Sequence, residues 1–351
     1  MLSWAGFCVW KPFLHEIMAN IFLTHPRSGG FRELRRFKVS RANGFIGASD
    51  VMQEVFARLE RAAKSSAPVF ITGESGSGKE VCARHLHANA QRPSAPFIAV
   101  NCAAIPHDLA ESEFFGHARG AFTGAQQARK GLVELAHGGT LFLDEICEME
   151  PGLQGKLLRF VETGRFRPVG AGAEQESKVR IICATNRDPQ REVREARFRA
   201  DLFWRLHVLP ISLPPLRRRG ADILLLASHF LGRFTREEGV PAKDFTKDAQ
   251  ELLLAHPWPG NVRELQNIMR QLAVFHQGER IAAADIAPLL PPVAGNDDAP
   301  LPAAAAGLRH LERQAIEAEI ARQGGSIPLA ARALGVAPST LYRKRKSWSA
   351  A

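Results

Sequence analysis

The chain has 351 residues, 45% of them hydrophobic and 23% charged, with 46 Lys and Arg against 36 Asp and Glu and a formal net charge of +10. Such a length and apolar share suit roughly two globular domains with a sizeable core and exclude a disordered or fibrous chain. The basic excess favours an anionic partner such as nucleic acid, and cysteines scattered without a Cys-x-x-Cys pair exclude a disulfide framework or zinc site and fit a reducing cytoplasm.

Residues 1–44 open on "MLSWAGFCVWKPFLHEIMANIF", which lacks a basic leader and is interrupted by Lys11, His15 and Glu16. It reads neither as a signal peptide nor as a membrane span. A poorly ordered extension is expected there, with Met18 available as a later start. It is too short for a regulatory domain, so a lost domain and a separate inhibitor protein both stay open as sources of control.

From Phe45 onward, short apolar runs alternate with helical periodicity, the signature of an α/β fold with a parallel sheet. "APVFITG", "PFIAVNC", "GTLFLDE" and "VRIICATN" read as buried strands because their apolar residues are near-continuous. Between about residues 220 and 290 strands are expected to stop and helical patterns to take over. That divides the region into an α/β subdomain, 45–219, and an α-helical lid, 220–290. Residues 291–307, rich in Pro, Ala and Gly, read as a linker, and 308–351 as a small all-α helix-turn-helix domain.

"GESGSGKE", Gly73 to Glu80, follows a strand and precedes a helix, the context of a phosphate-binding loop. Gly73, Gly76 and Gly78 free the backbone of Glu74, Ser75 and Ser77 to turn amides toward the phosphates of ATP, and Lys79 meets the β and γ oxygens. Glu80 stands where Ser or Thr usually ligates magnesium, which leaves Mg2+ to Asp144 and water. "GGTLFLDEI" ends an apolar strand on Asp144 and Glu145, one carboxylate to hold the metal and its neighbour to polarise water. "ATNRD" ends another strand on Thr185 and Asn186, suited to sensing a γ-phosphate. In "FRADLFWRL", Arg199 and Arg205 fall on different helix faces, as candidate fingers for a neighbouring subunit's nucleotide. Arg263, in "WPGNVRELQN", starts a lid helix and is placed to contact the nucleotide from the other side. His85, His87 and His117 read as surface or packing residues.

"GHARGAFTGAQQ" has no hydrophobic periodicity. Gly120, Ala121, Gly124 and Ala125 permit a tight turn and close approach, leaving Phe122 and Thr123 as a tip built to touch something. Exposing a Phe there forgoes roughly 1.5–3 kcal/mol of burial, which a partner recovers. In "SIPLAARALGVAPSTLYRKRK", Ala331, Gly335 and Pro338 have helix-turn-helix spacing. Ser339, Thr340, Tyr342 and Arg343 then face bases and phosphates, and Lys344, Arg345 and Lys346 neutralise the DNA backbone.

With these motifs assembled, the chain from about Ile46 to Leu290 resembles the AAA+ domain of bacterial enhancer-binding proteins, the activators of sigma-54 RNA polymerase. "GESGSGKE" with its Glu80 is similar to that family's own loop, and Gly120 to Ala125 resembles its hallmark surface hexapeptide, a far more specific signal. The resemblance implies that Lys79 binds phosphate, Asp144 magnesium and Glu145 the attacking water, and that Asn101 holds Glu145 in a nucleotide-dependent switch. It implies that Thr185 and Asn186 form the first sensor, Arg263 the second, and Arg199 and Arg205 the intersubunit arginines of a hexameric ring. Phe122 and Thr123 would touch sigma-54, with "RFRPVGAGAEQESKVRII" loosely matching the hairpin that supports their loop. The C-terminal segment is similar to the Fis-like domain that binds DNA upstream of promoters. Ala337 stands where members commonly carry a capping Ser, a loss of about 1 kcal/mol. The implied activity is cytoplasmic: ATP hydrolysis that remodels sigma-54 polymerase into the open complex. A DNA-bound regulator of ordinary polymerase with a regulatory ATPase is the alternative.

Overall fold

A computed structural model describes residues 40–42, 45–122, 125, 127–291, 316, 319–320, 323 and 326–333. Strand β1 (Ser40–Ala42) pairs antiparallel with β2 (Phe45–Gly47). Of the extension expected to be poorly ordered, residues 40–42 form this strand, paired with a segment whose Phe45 and Ile46 are buried, and residues 1–39 and 43–44 lie outside the described residues. Helix α1 (Asp50–Ala63) buries Met52, Val55, Phe56 and Leu59 at three- and four-residue spacing, the stripe that holds an amphipathic helix on a sheet.

The central sheet comprises β3 (Val69–Thr72), β4 (Phe97–Asn101), β7 (Thr140–Asp144), β10 (Arg180–Thr185) and β11 (Leu209–Ser212) in the order β11-β3-β10-β7-β4, every neighbouring pair parallel. Two small antiparallel hairpins interrupt it, β5 (Gly116–His117) with β6 (Arg129–Lys130) and β8 (Arg165–Phe166) with β9 (Gln175–Glu176). Strands β3, β7 and β10 are buried as their apolar runs predict. The run read as a buried strand at 97–101 is instead a half-covered edge, where one ladder is open and covering helices reach only part of each face. Opposite it, β11 carries Pro210, which donates no ladder bond and is tolerated at a sheet edge.

Parallel strands end on one side, so the loop after β3 and the last residues of β4, β7 and β10 converge there, with Asn101 in register with Asp144 and Thr185 with Thr72. Helices α2 (Lys79–Ala88) and α3 (His107–Phe115) start the crossovers after β3 and β4, and α4 (Pro151–Thr163) and α5 (Ala200–Leu206) pack on one another beside the sheet.

The lid is built from α6 (Asp222–Glu237), α7 (Lys247–Ala255) and α8 (Asn261–Phe275), packed around Trp258, Phe230, Leu265 and Met269. Strands do not stop at residue 220: Asp244–Phe245 (β12) pairs parallel with Arg280–Ile281 (β13), a ladder too short to leave a periodic trace. The chain divides into two compact units, one ending at Leu290 and one starting at Pro291. In the second, α9 (Ile327–Ala333) places Ala330 and Ala331 against Ile316 and Ile320. Gly335, Ala337 and the DNA-facing residues Ser339, Thr340, Tyr342, Arg343, Lys344, Arg345 and Lys346 lie outside the described residues. Among the described residues, no helix is long and apolar enough to cross a membrane.

Candidate nucleotide site and surface loop

The loop after β3 folds over the start of α2 because Gly76 and Gly78 take φ of 74° and 103°, which other residues adopt only under strain. A Cβ on Gly73 would stand 2.8 Å from Ser77 Oγ, and one on Gly76 would stand 2.3 Å from the Gly260 carbonyl of the lid. Among the described residues, the Gly76, Gly78 and Lys79 amides have no acceptor, and Ser77 Oγ is buried without a partner. Lys79 is 7% exposed; its Nζ donates to Gly73 O at 3.1 Å and lies 3.4 Å from Glu145 Oε1. Orphan donors over a glycine cradle, with one buried cation, fit the phosphates of a nucleotide.

Glu145 follows β7 in a left-handed conformation, φ 51°, which turns its carboxylate toward β10, where Oε2 accepts the Asn186 amide at 3.0 Å. Asp144 Oδ1 accepts the Glu145 amide at 3.1 Å. Burial, and then the charge of Glu145, push Asp144 above the usual carboxylate range. A single half-buried carboxylate of this kind suits magnesium, which keeps most of its water and phosphate ligands.

A raised carboxylate has a stability consequence of definite sign. Folded Asp144 holds its proton more tightly than the unfolded chain does, so its ionised form opposes folding, and the opposition vanishes below the ordinary aspartate value of about 3.8. We expect Asp144→Asn to melt above the wild type at neutral pH without nucleotide, the gap closing as pH falls toward 4, while ATP hydrolysis is lost. Melting curves of both proteins across that range check it, and a variant that melts lower at pH 7 refutes it.

Several predicted residues do something other than expected. Asn101 does not hold Glu145 in this structure: its Oδ1 accepts the Ala103 amide at 2.9 Å and so caps the short helical turn after the strand, and Asn186 and Lys79 hold Glu145 instead. Glu80 points away from the loop and pairs with Arg84 at 2.7 Å one helical turn on, so its carboxylate is not in the cradle. The Glu74 carboxylate also turns from the phosphate side, accepting a bidentate pair from Arg217 at 2.6 and 2.8 Å, which holds it below the usual range. Thr185 is fully buried, with Oγ1 accepting the Arg187 amide at 3.1 Å, while the exposed Asn186 serves Glu145 through its backbone.

Arg199 stands at the N-terminal end of α5 with its guanidinium on Asp201 at 2.7 and 3.1 Å. Arg205, near the other end of α5, is exposed and makes no ion pair among the described residues. Arg263 does reach the phosphate loop, Nη1 donating to Ser75 Oγ at 3.0 Å.

Three residues without a signal in the sequence tie the lid, and the segment leading into it, to the loop. Asn261, fully buried with φ 51°, donates Nδ2 to Glu74 Oε2 at 3.0 Å and Ser75 O at 3.1 Å and accepts the Leu216 amide at 2.8 Å. Arg219, 1% exposed, donates to Ser77 O at 2.8 Å and Pro214 O at 2.9 Å, and burial lowers it to about 10, still charged at neutral pH. Arg217 braces Glu74 as above. "PGN" before an apolar stripe signals a helix start. Nothing local says that its Asn reaches a loop 187 residues earlier.

The surface loop grows from the β5–β6 hairpin at the end of α3. Val169, from the turn between β8 and β9, donates to Gly116 O and accepts from the Ala118 amide, both at 2.9 Å, so that turn supports the loop root. Gly170, φ 73°, lets the backbone come against Ala121, where a Cβ would stand 2.7 Å from the Ala121 methyl. Gly120 N to Ala125 O at 2.8 Å and Ala125 N to Phe122 O at 3.0 Å close the tip. Phe122 is 40% exposed and Ala125 buried; Thr123 and Gly124 lie outside the described residues.

A parallel sheet with a phosphate loop on β3, paired carboxylates ending β7, a polar pair ending β10, and a helical lid reaching back to the loop define an AAA+ ATPase. The Sigma-54 interaction domain family matches residues 45–212, the AAA+ ATPase lid domain 217–299, and the Fis family of bacterial regulatory proteins 307–348. The luminescence regulatory protein LuxO of Vibrio campbellii is 50% identical over 314 residues, covering 87% of this chain and 69% of that protein. The Nif-specific regulatory protein of Azotobacter vinelandii is 43% identical over 320 residues, covering 89% and 60%. The crystal structure of NtrX from Brucella abortus in complex with ATP superposes with a TM-score of 0.64 at 32% identity, covering 95% and 73%. The chain belongs to the sigma-54-dependent enhancer-binding activators, ATPases that act on sigma-54 RNA polymerase from DNA sites bound by a Fis-type helix-turn-helix.

Proposed function

We propose that this chain, as a cytoplasmic hexameric ring on upstream DNA, uses ATP with Mg2+ to drive the 116–130 loop against sigma-54. The divisions at 45–219, 220–290, 291–307 and 308–351 assign it motor, lid, linker and DNA-binding parts. A separate inhibitor or regulator is a further proposed partner. Asp144 would hold a magnesium ion, whose charge would offset the negative charge that develops at the phosphates. Lys79 leaves Glu145 for the β and γ oxygens, which frees Glu145 Oε1 to take a proton from water. Asn101 takes hold of Glu145 in another state of the cycle, Thr185 and Asn186 register the γ-phosphate, and Arg199 and Arg205 complete a neighbour's site.

One observation carries the coupling. Asn101 lies in register with Asp144, and the chain runs from Asn101 through α3 directly into the loop hairpin. A displacement at the carboxylates thus has a short, rigid path to Phe122 and Thr123.

Open-complex formation by purified sigma-54 polymerase, on a promoter carrying an upstream binding site, tests this. Thr123→Ala should hydrolyse ATP within about twofold of wild type while losing promoter opening by about tenfold or more. A wild-type ring that hydrolyses ATP yet never opens the promoter points to the regulator of ordinary polymerase instead.

A further inference from the structure

His117 is the second residue of β5, and its backbone is held on both sides, opposite Arg129 in β6 and bridged to Val169. Its ring is held too: Nδ1 and Ser112 Oγ, from the end of α3, share a 2.7 Å hydrogen bond. Against this anchored imidazole stands the ring of Phe122, centroids 5.0 Å apart and planes at 62°, the edge-to-face arrangement that aromatic rings favour. Beyond it the tip is closed by two backbone hydrogen bonds within residues 120–125. Phe122 thus rests on a fixed residue of its own loop root while 40% of it remains exposed.

We propose that His117 is a positioning residue that seats Phe122: it holds the tip ring against the loop root in the nucleotide-free chain and releases it when the loop engages sigma-54. The inference rests on the reading of the loop as the sigma-54 contact and adds a resting state to it. One ring contact is weak enough to break in each cycle, yet it lowers the fraction of chains whose Phe122 is available. Ser112 belongs to the same device, because it fixes the face that the imidazole presents. The chemistry at Asp144 and Glu145 does not involve either residue.

Two readouts test it, both on the full chain without nucleotide. The first is titration of fluorescently labelled sigma-54; the second is chymotrypsin cleavage after Phe122, located by mass spectrometry with no sigma-54 present. For His117→Ala, sigma-54 affinity should rise about twofold to tenfold, with a parallel rise in cleavage after Phe122. His117→Phe, which keeps an aromatic ring but loses the hydrogen bond to Ser112, should fall between wild type and His117→Ala. Ser112→Ala, which loses the same hydrogen bond, should also fall between wild type and His117→Ala, and it supplies the test if His117→Ala fails to fold. Unchanged or reduced cleavage in both alanine variants overturns the seat, as does His117→Phe behaving like His117→Ala. If cleavage rises as expected but neither His117→Ala nor Thr123→Ala alters sigma-54 binding, the seat stands and the loop's assignment to sigma-54 falls.

Discussion

Glu145→Gln should lower ATP hydrolysis about a hundredfold to ten-thousandfold, the range of a lost general base, while nucleotide affinity stays within a few-fold of wild type. The substitution preserves shape: a Gln oxygen still accepts the Asn186 amide, which meets Glu145 at 3.0 Å. It removes the charge that holds Lys79 at 3.4 Å, leaving that lysine freer for phosphate oxygens. Binding should therefore survive, and bound ATP should persist. Single-turnover hydrolysis beside a fluorescent-nucleotide titration separates the two, and near-wild-type turnover would remove Glu145 from the role of base.

Asn261→Ala should have the largest effect on stability. Three groups lose a partner together: the Leu216 amide, Glu74 Oε2 and Ser75 O. The new Ala must also hold φ near 51°, where Asn is tolerated and Ala is strained. We expect a loss of about 2–4 kcal/mol, and a melting temperature of the ATPase unit lower by roughly 4–12 °C. ATP should bind more weakly as well, since Arg263, two residues on, contacts Ser75 from the same turn. Asn261→Gly relieves the backbone strain and restores no hydrogen bond, so it should recover about 1 kcal/mol. Thermal and urea unfolding of the three proteins check this order. Asn261→Ala melting within a degree of wild type would show that the clamp contributes nothing.

The strand that sequence reading left out, 209–212, shows where local pattern loses its hold. Leu209–Ser212 carries a proline and little alternation, and it becomes a strand because β3 offers an open ladder. Phe97–Asn101 has the apolar content of a buried strand and lies at the opposite edge, since order within a sheet depends on crossovers rather than composition. The spacing of the phosphate motif places the backbone of Glu74 and Glu80 and leaves the direction of their carboxylates open. Their partners Arg84 and Arg217 turn both carboxylates elsewhere.

By itself, the sequence determined the parts whose chemistry is local. Glycines at fixed spacing before a helix make a phosphate cradle, a strand ending on Asp144 and Glu145 brings two carboxylates to the sheet edge beside it, and the small residues of the Gly120 to Ala125 hexapeptide permit a tight turn that leaves Phe122 40% exposed. Only the tertiary structure decided what meets across long stretches of chain. It brought Asn261 onto Glu74, 187 residues away, and Arg219 onto Ser77, 142 residues away. It also placed Val169 beside the loop root. Such contacts need complementary donors and acceptors at one point in space, which one-dimensional spacing does not encode. A buried Arg or a left-handed Asn becomes favourable only once packing has supplied its partners and excluded water.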